Sequence, residues 1–143
     1  MATDRSAQVT WQGDLTSGVG TVHVVGSGAF GPLDVSWPSR AEEPAGRTSP
    51  EELLAAAWAS CYSMALSAGL SRGGTPPDRL DTSVTVTFQP GEGIIRGAIS
   101  VRGEVPGIDP SVFAEAAAAA KDGCPVSKAL AGVPEVTLDA TLA

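Results

Sequence analysis

SPEELLAAAWASCYSMALSAGL, residues 49–70, is the strongest structural signal in this chain. Ser49 is a good N-cap residue, Pro50 suits the first helical position, and Glu52 completes a capping box with Ser49. The helix is expected to continue to about Ser71, because two glycines and two prolines follow shortly after it. The sequence therefore predicts one long helix in the middle of the chain.

This helix is apolar on nearly all of its faces, which is typical of a helix in the centre of a domain rather than on its surface. Its length is close to that needed to cross a bilayer. However, two glutamates open it, and three serines and a cysteine interrupt the apolar run. We therefore expect the buried helix of a soluble domain and no membrane span.

Downstream of the helix, strand and helix patterns follow one another. Residues 81–88 (DTSVTVTF) and 94–105 (IIRGAISVRGEV) alternate around a Pro-Gly turn, which predicts an antiparallel hairpin. A second helix is expected to start at Asp109-Pro110 and to run through Ser111 to about Lys121, and Cys124-Pro125 is expected to open a short helix through Leu130. Residues 135–142 alternate again and predict a final strand.

Upstream, short β-branched runs predict strands at 8–11, 21–25 and 33–37, and the polar residues 38–48 predict a loop. Strands interrupted by helices, with hairpins rather than βαβ units, indicate an α+β fold with a mainly antiparallel sheet. With 143 residues, the chain is expected to form a single domain over residues 1–143.

Composition narrows the functional classes. Hydrophobic residues make up 43% of the chain and charged residues 17%, which excludes an intrinsically disordered protein. The net charge of −7 argues against nucleic acid as a partner. The first eight residues contain Asp4 and Arg5 and no apolar segment, so we expect no secretory signal and a cytoplasmic location.

The two cysteines are the candidate reactive groups. Cys61 lies in the middle of the long helix, where it could also be a small buried hydrophobic residue. Cys124 precedes Pro125 at a predicted helix start, where backbone N–H groups favour a thiolate, although a capping position without chemistry is the alternative. Their spacing does not show whether they meet. No metal site is expected, because His23 is the only histidine and the ligands are too few.

Several motifs carry a resemblance to the OsmC/Ohr family. Residues 49–66 resemble its first cysteine motif, and residues 123–130 (GCPVSKAL) resemble its second. The segments 11–14 (WQGD), 18–22 (GVGTV) and 105–109 (VPGID) are similar to the OsmC branch rather than to Ohr. The resemblance covers essentially the whole chain.

The resemblance implies a thiol-dependent peroxidase that acts on organic hydroperoxides, without a cofactor or metal. It implies an intertwined homodimer, with two sheets around central helices and active sites at the subunit interface. Cys61 resembles the peroxidatic cysteine and Cys124 the resolving cysteine, so a Cys61–Cys124 disulfide is implied. An external dithiol would reduce it, and the resemblance suggests a dithiol of the lipoyl type. Glu51 resembles the family's active-site glutamate and Arg40 the arginine of the OsmC branch.

The chain departs from the family pattern at three places. Ser49 replaces the usual asparagine, and Trp58 stands where the OsmC branch often has histidine. The loop between Arg40 and Glu51 is one residue longer, which leaves Arg47 as a rival for the arginine role.

The chemistry of a thiol peroxidase places demands on these residues. Burial in an apolar helix raises the pKa of a cysteine, so Cys61 needs a cation beside it to react as a thiolate. Arg40 can supply that charge, and Glu51 can hold its guanidinium, although Glu51 could also be an ordinary first-turn acid. Glu51 and Cys61 are about 15 Å apart along the helix axis, so we predict composite sites and an inactive monomer.

Two further expectations concern substrate and mechanism. Trp58, Met64 and Phe113 are apolar candidates that would favour alkyl hydroperoxides, with core packing as the alternative role for each. The competing functional hypothesis is a redox sensor that uses the same disulfide as a switch without multiple turnovers.

Overall fold

The computed structural model describes all 143 residues as six strands and four helices, and the predicted α+β class is confirmed. Contacts divide the chain into two units, Met1–Leu53 and Leu54–Ala143, which are described separately. The expectation of a single domain over residues 1–143 stays a prediction.

The first unit contains a three-stranded antiparallel sheet in the order β1-β2-β3. Its strands are β1 (Val9–Gln12), β2 (Val19–Val22) and β3 (Leu33–Val35). All three were expected from the sequence. The second was predicted too far along the chain, because β-branched residues continue past Val22, where the strand ends.

A short helix, α1 (Trp37–Ala41), lies where a strand end and a loop were predicted, and that prediction was wrong. Ser36 caps it: its side chain accepts from the Ser39 N–H at 3.2 Å, and the Ser39 side chain accepts from the Ser36 N–H at 3.0 Å. Pro38 lies in the first turn. This reciprocal cap stabilises a helix too short for a periodic pattern to reveal.

The long helix is confirmed as α2 (Pro50–Arg72). Half of the expected capping box forms, since the Glu52 N–H donates to Ser49 Oγ at 3.2 Å. The Glu52 carboxylate instead accepts a hydrogen bond from the Thr48 hydroxyl at 2.9 Å. The helix start was therefore predicted correctly, with a different partner for the glutamate.

Only one stripe of α2 is buried within the chain. Residues four positions apart form it: Trp58, Tyr62, Leu66 and Leu70. Met64, on another face, is 71% exposed. By length and composition alone α2 could cross a membrane, and 22% of its apolar window is buried. The expectation of a fully central helix is thus not met by one chain.

The second unit contains a sheet in the order β4-β5-β6. β4 (Arg79–Gln89) and β5 (Gly93–Glu104) form the predicted antiparallel hairpin. The chain then crosses over through α3 (Pro110–Gly123) and α4 (Pro125–Ala129), so β6 (Glu135–Leu142) pairs parallel to β5. The expectation of hairpins alone was wrong for this strand, because two helices return the chain to the same end of the sheet.

The core of the second unit lies between the buried stripe of α2, helix α3 and one face of β5. On this face of β5, Gly97 and Gly103 flank the buried side chains of Ile99 and Val101. A Cβ at Gly97 would lie 2.5 Å from the Trp58 ring, and one at Gly103 would lie 2.8 Å from the Phe113 ring. The Tyr62 hydroxyl donates to the Ala117 carbonyl at 3.0 Å. These contacts fix the middle of α2 against the sheet.

Candidate active site

An ion pair joins α1 to the first turn of α2. Arg40 donates from Nε to both carboxylate oxygens of Glu51, at 2.9 and 3.2 Å, and from Nη2 to Oε1 at 2.8 Å. Glu51 is 6% exposed, whereas 31% of the Arg40 side chain remains exposed. The planar guanidinium satisfies the buried carboxylate, as such a charge requires. The pair therefore holds a cation in place with part of it accessible.

Local structure brings these two residues together. The Ser39 hydroxyl donates to the Thr48 carbonyl at 3.1 Å, which ties α1 to the segment that leads into α2. Arg40 follows Ser39 on α1, and its side chain therefore reaches Glu51. Arg47, the rival for the arginine role, is exposed and forms no ion pair.

The two thiols form the second polar region. Cys61 lies in mid-α2 and is half-buried, whereas Cys124 is the N-cap residue of α4 and is 0% exposed. Both are free, and each thiol acts on the other as a hydrogen-bonding neighbour. The fold thus brings together two cysteines that lie far apart in the sequence.

The pKa values of the two thiols are shifted in opposite directions. Burial raises the pKa of Cys61, the Cys124 thiol raises it further, and the Val126 N–H only partly opposes them. Burial also acts to raise the pKa of Cys124, but the Cys61 thiol, the N–H and hydroxyl of Ser127 and the Val126 N–H outweigh it and lower the pKa. Within this unit no cation acts on Cys61. The raised pKa agrees in direction with the expectation that Cys61 needs an added positive charge, which stays a prediction.

The sequence reasoning did not identify Ser127. Its hydroxyl accepts a hydrogen bond from the Trp58 indole Nε1 at 2.7 Å and lies in the first turn of α4, close to Cys124. The sequence did contain a signal for it. The side chain of a serine three residues after an N-cap residue can face the side chain of that N-cap residue. Cys124 itself makes no cap hydrogen bond of standard geometry, so the Ser127 groups act on its sulfur as nearby dipoles.

The three apolar candidates have different surroundings. Trp58 and Phe113 are 0% and 2% exposed and belong to the core of the second unit, as their alternative role required. Met64 is exposed on α2. No group of three or more His, Cys, Asp or Glu side chains is arranged to hold a metal ion.

The chain is similar to known proteins in sequence and in structure. Residues 43–139 match the family model described as OsmC-like protein. The chain is 39% identical over 142 residues to Peroxiredoxin OsmC of Escherichia coli (strain K12), covering 97% of this chain and 96% of that protein. It is equally similar to the protein of the same name from Shigella flexneri.

Solved structures share the fold. The organic hydroperoxide resistance protein OsmC from Legionella pneumophila matches with a TM-score of 0.67 at 21% identity, covering 95% of this chain and 96% of that one. The organic hydroperoxide resistance protein OhrB of Bacillus subtilis matches with a TM-score of 0.63 at 24% identity, covering 96% and 98%. At these identities the matches show the fold alone.

Proposed function

The chain belongs to the OsmC family, and we propose that it is a cysteine-based peroxidase that reduces organic hydroperoxides to alcohols in stress defence. The observation that carries the proposal is the meeting of Cys61 and Cys124, the only two cysteines of the chain. The relative named Peroxiredoxin OsmC, which is 39% identical to this chain, supports the reaction class.

The proposed cycle begins at Cys61, because a hydroperoxide can reach a half-buried sulfur but not the fully buried Cys124. The Cys61 thiolate attacks the distal peroxide oxygen, the O–O bond breaks, and the alkoxide takes a proton to leave as alcohol. Cys61 is now a sulfenic acid. The Cys124 thiolate attacks its sulfur and releases hydroxide, which leaves a disulfide. An external dithiol of the lipoyl type then restores both thiols by two exchanges.

Activation of Cys61 is proposed to need Arg40, held by Glu51. A guanidinium stabilises the thiolate and can donate to a peroxide oxygen in the same step. Glu51 and Cys61 are on one helix, about 15 Å apart along its axis. We therefore propose that the partner subunit's Arg40 and Glu51 serve Cys61 across a two-fold axis.

The uncovered faces of α2 support the homodimer. Most of this apolar helix is not buried within one chain. A second copy packed antiparallel would cover that surface and bring the start of one α2 near the middle of the other. We propose this arrangement in the cytoplasm, where free thiols persist because disulfides are reduced.

The experiment that tests the function is a coupled turnover assay. Purified protein receives cumene hydroperoxide and dihydrolipoate in large excess, and peroxide loss is counted per chain. Many turnovers are expected, with none in the Cys61→Ser variant. Oxidation that stops after about one equivalent would contradict the peroxidase and support the redox sensor. Arg47→Ala is the control for a substitution that leaves both cysteines and the Arg40–Glu51 pair in place, and it should turn over as fast as the original protein.

A further inference from the structure

The buried side of the thiol pair contains a hydrogen bond that the cycle above does not use. The Trp58 indole donates to the Ser127 hydroxyl oxygen at 2.7 Å. Trp58 is fully buried. Ser127 is the third residue of α4, and Cys124 is the N-cap residue of the same helix. A buried aromatic donor therefore holds a hydroxyl group that lies within one helical turn of Cys124.

The hydrogen bond from Trp58 leaves the hydroxyl proton of Ser127 free to act on another group. An indole N–H can only donate, so the Ser127 oxygen must be the acceptor and its own proton remains available. The Ser127 hydroxyl and backbone N–H both act on the Cys124 sulfur and favour its charged form. Since Cys124 and Ser127 occupy the N-cap position and the third residue of α4, this proton is available to act on the sulfur as a nearby dipole.

The position of Trp58 is itself fixed by the sheet. Gly97 of β5 lies under the indole, and a Cβ there would approach the ring Cη2 and Cζ3 atoms to 2.5 Å. Because no side chain separates the ring from the strand, the indole rests directly on β5. Its N–H therefore keeps one direction, toward α4.

We infer that Ser127, oriented by Trp58, is a positioning residue for the Cys124 thiolate and controls how fast the Cys61–Cys124 disulfide forms and is reduced. The kinetic part rests on the proposed peroxidase cycle. When the disulfide forms, the Cys124 thiolate attacks the sulfenic sulfur and hydroxide leaves. When a dithiol attacks Cys61 Sγ, the S–S bond breaks and its electron pair goes to the Cys124 sulfur. The Ser127 proton stabilises the Cys124 charge in both steps.

The test separates this role from peroxidase activity. In a Cys61→Ser background, Cys124 is the only thiol, and its titration is followed by thiolate absorbance near 240 nm. The chain has one tyrosine, Tyr62, and burial raises its pKa to about 12, so phenolate absorption stays out of the range. Ser127→Ala is expected to raise the titration midpoint, lowering the acid dissociation constant about tenfold.

Two further variants identify the cause. Ser127→Thr keeps the hydroxyl and is expected to restore the original midpoint. Trp58→Phe keeps a ring but loses the N–H, so a smaller rise is expected. An unchanged midpoint in Ser127→Ala, or equal midpoints in the Thr and Ala variants, would overturn the inference. Thermal unfolding of each variant shows that it is folded, and if Trp58→Phe does not fold, the two Ser127 variants decide.

The kinetic consequence is measured with both cysteines present. After one equivalent of cumene hydroperoxide, Ser127→Ala is expected to oxidise Cys61 at the original rate but to form the disulfide about tenfold more slowly. Equal slowing of both steps would contradict a role specific to Cys124. If no variant reacts with peroxide at all, the proposed function fails, whereas the titration still decides the role of Ser127.

Discussion

The Arg40–Glu51 pair and the Cys61–Cys124 pair differ in their charge and in their surroundings. The first neutralises a buried carboxylate with three hydrogen bonds from a partly exposed guanidinium. The second places two thiols in an apolar setting, where burial raises the pKa of Cys61. One region has a stabilised charge and no nucleophile, and the other has a nucleophile that lacks a cation. We therefore expect peroxide reduction to need both regions, which the proposed dimer would bring together.

The largest effects on the peroxide reaction are expected when either thiol is removed. Cys61→Ser is expected to abolish peroxide consumption, because attack needs the accessible thiolate. Cys124→Ser should leave one fast turnover and a trapped sulfenic acid, which excess peroxide drives on to the sulfinic state. Mass spectrometry after one equivalent of cumene hydroperoxide measures both. Rapid reaction in Cys61→Ser together with its loss in Cys124→Ser would reverse the assigned roles.

The next largest effect on the reaction rate is expected when either side chain of the ion pair is removed. Arg40→Ala and Glu51→Ala are each expected to lower the rate of the peroxide reaction by about 100-fold or more, since the thiolate loses its stabilising charge. Stopped-flow measurement of the first turnover gives this rate. Arg47→Ala, the matched control, should retain it. Loss in Arg47→Ala with retention in Arg40→Ala would instead make Arg47 the active-site arginine.

Mixed subunits test whether the two regions meet across the dimer. Neither Cys61→Ser chains nor chains carrying both Arg40→Ala and Glu51→Ala should be active alone. After subunit exchange at equal concentrations, half of the dimers are mixed and each contains one complete site, so about a quarter of the original activity should return. Exchange without recovery would show that the sites are not composite.

A smaller effect is expected in the pH dependence of the peroxide reaction. A raised pKa means that less thiolate is present at any pH below it, so the unassisted Cys61 should react faster as pH rises through and beyond the ordinary thiol range. Arg40→Ala is expected to show this continued rise. The original protein should reach its plateau at lower pH. Identical profiles for the two proteins would mean that Arg40 does not act on the thiol.

The smallest effect concerns the apolar support of the thiol region. Gly97→Ala forces a methyl group against the Trp58 ring, which we expect to cost about 1–3 kcal/mol in the free energy of unfolding. Denaturant unfolding measures the change. Gly132→Ala is the matched control, because open space surrounds Gly132 and its backbone is not in the left-handed region. Equal stabilities would show that the indole does not rest on β5 as described.

Much of the fold could be predicted because the signals are local. The capping residues of α2 and the alternation in β4 and β5 depend on near neighbours in the sequence, and the structure confirms these elements. Helix α1 was missed because five residues are too short for a periodic pattern. The parallel pairing of β6 was missed because alternation shows that a strand exists and not which way its partner runs.

Consecutive residues were enough to predict most of the elements and the two candidate thiols, since helix caps, strand periods and cysteine motifs are local. They left Arg40 and Arg47 as alternatives for the partner of Glu51. Tertiary structure alone decided that Arg40 rather than Arg47 contacts Glu51 and that the Cys61 and Cys124 thiols interact. It also decided that Trp58 holds Ser127. These facts join residues up to 69 positions apart, and such contacts depend on how whole elements pack, which no local pattern encodes.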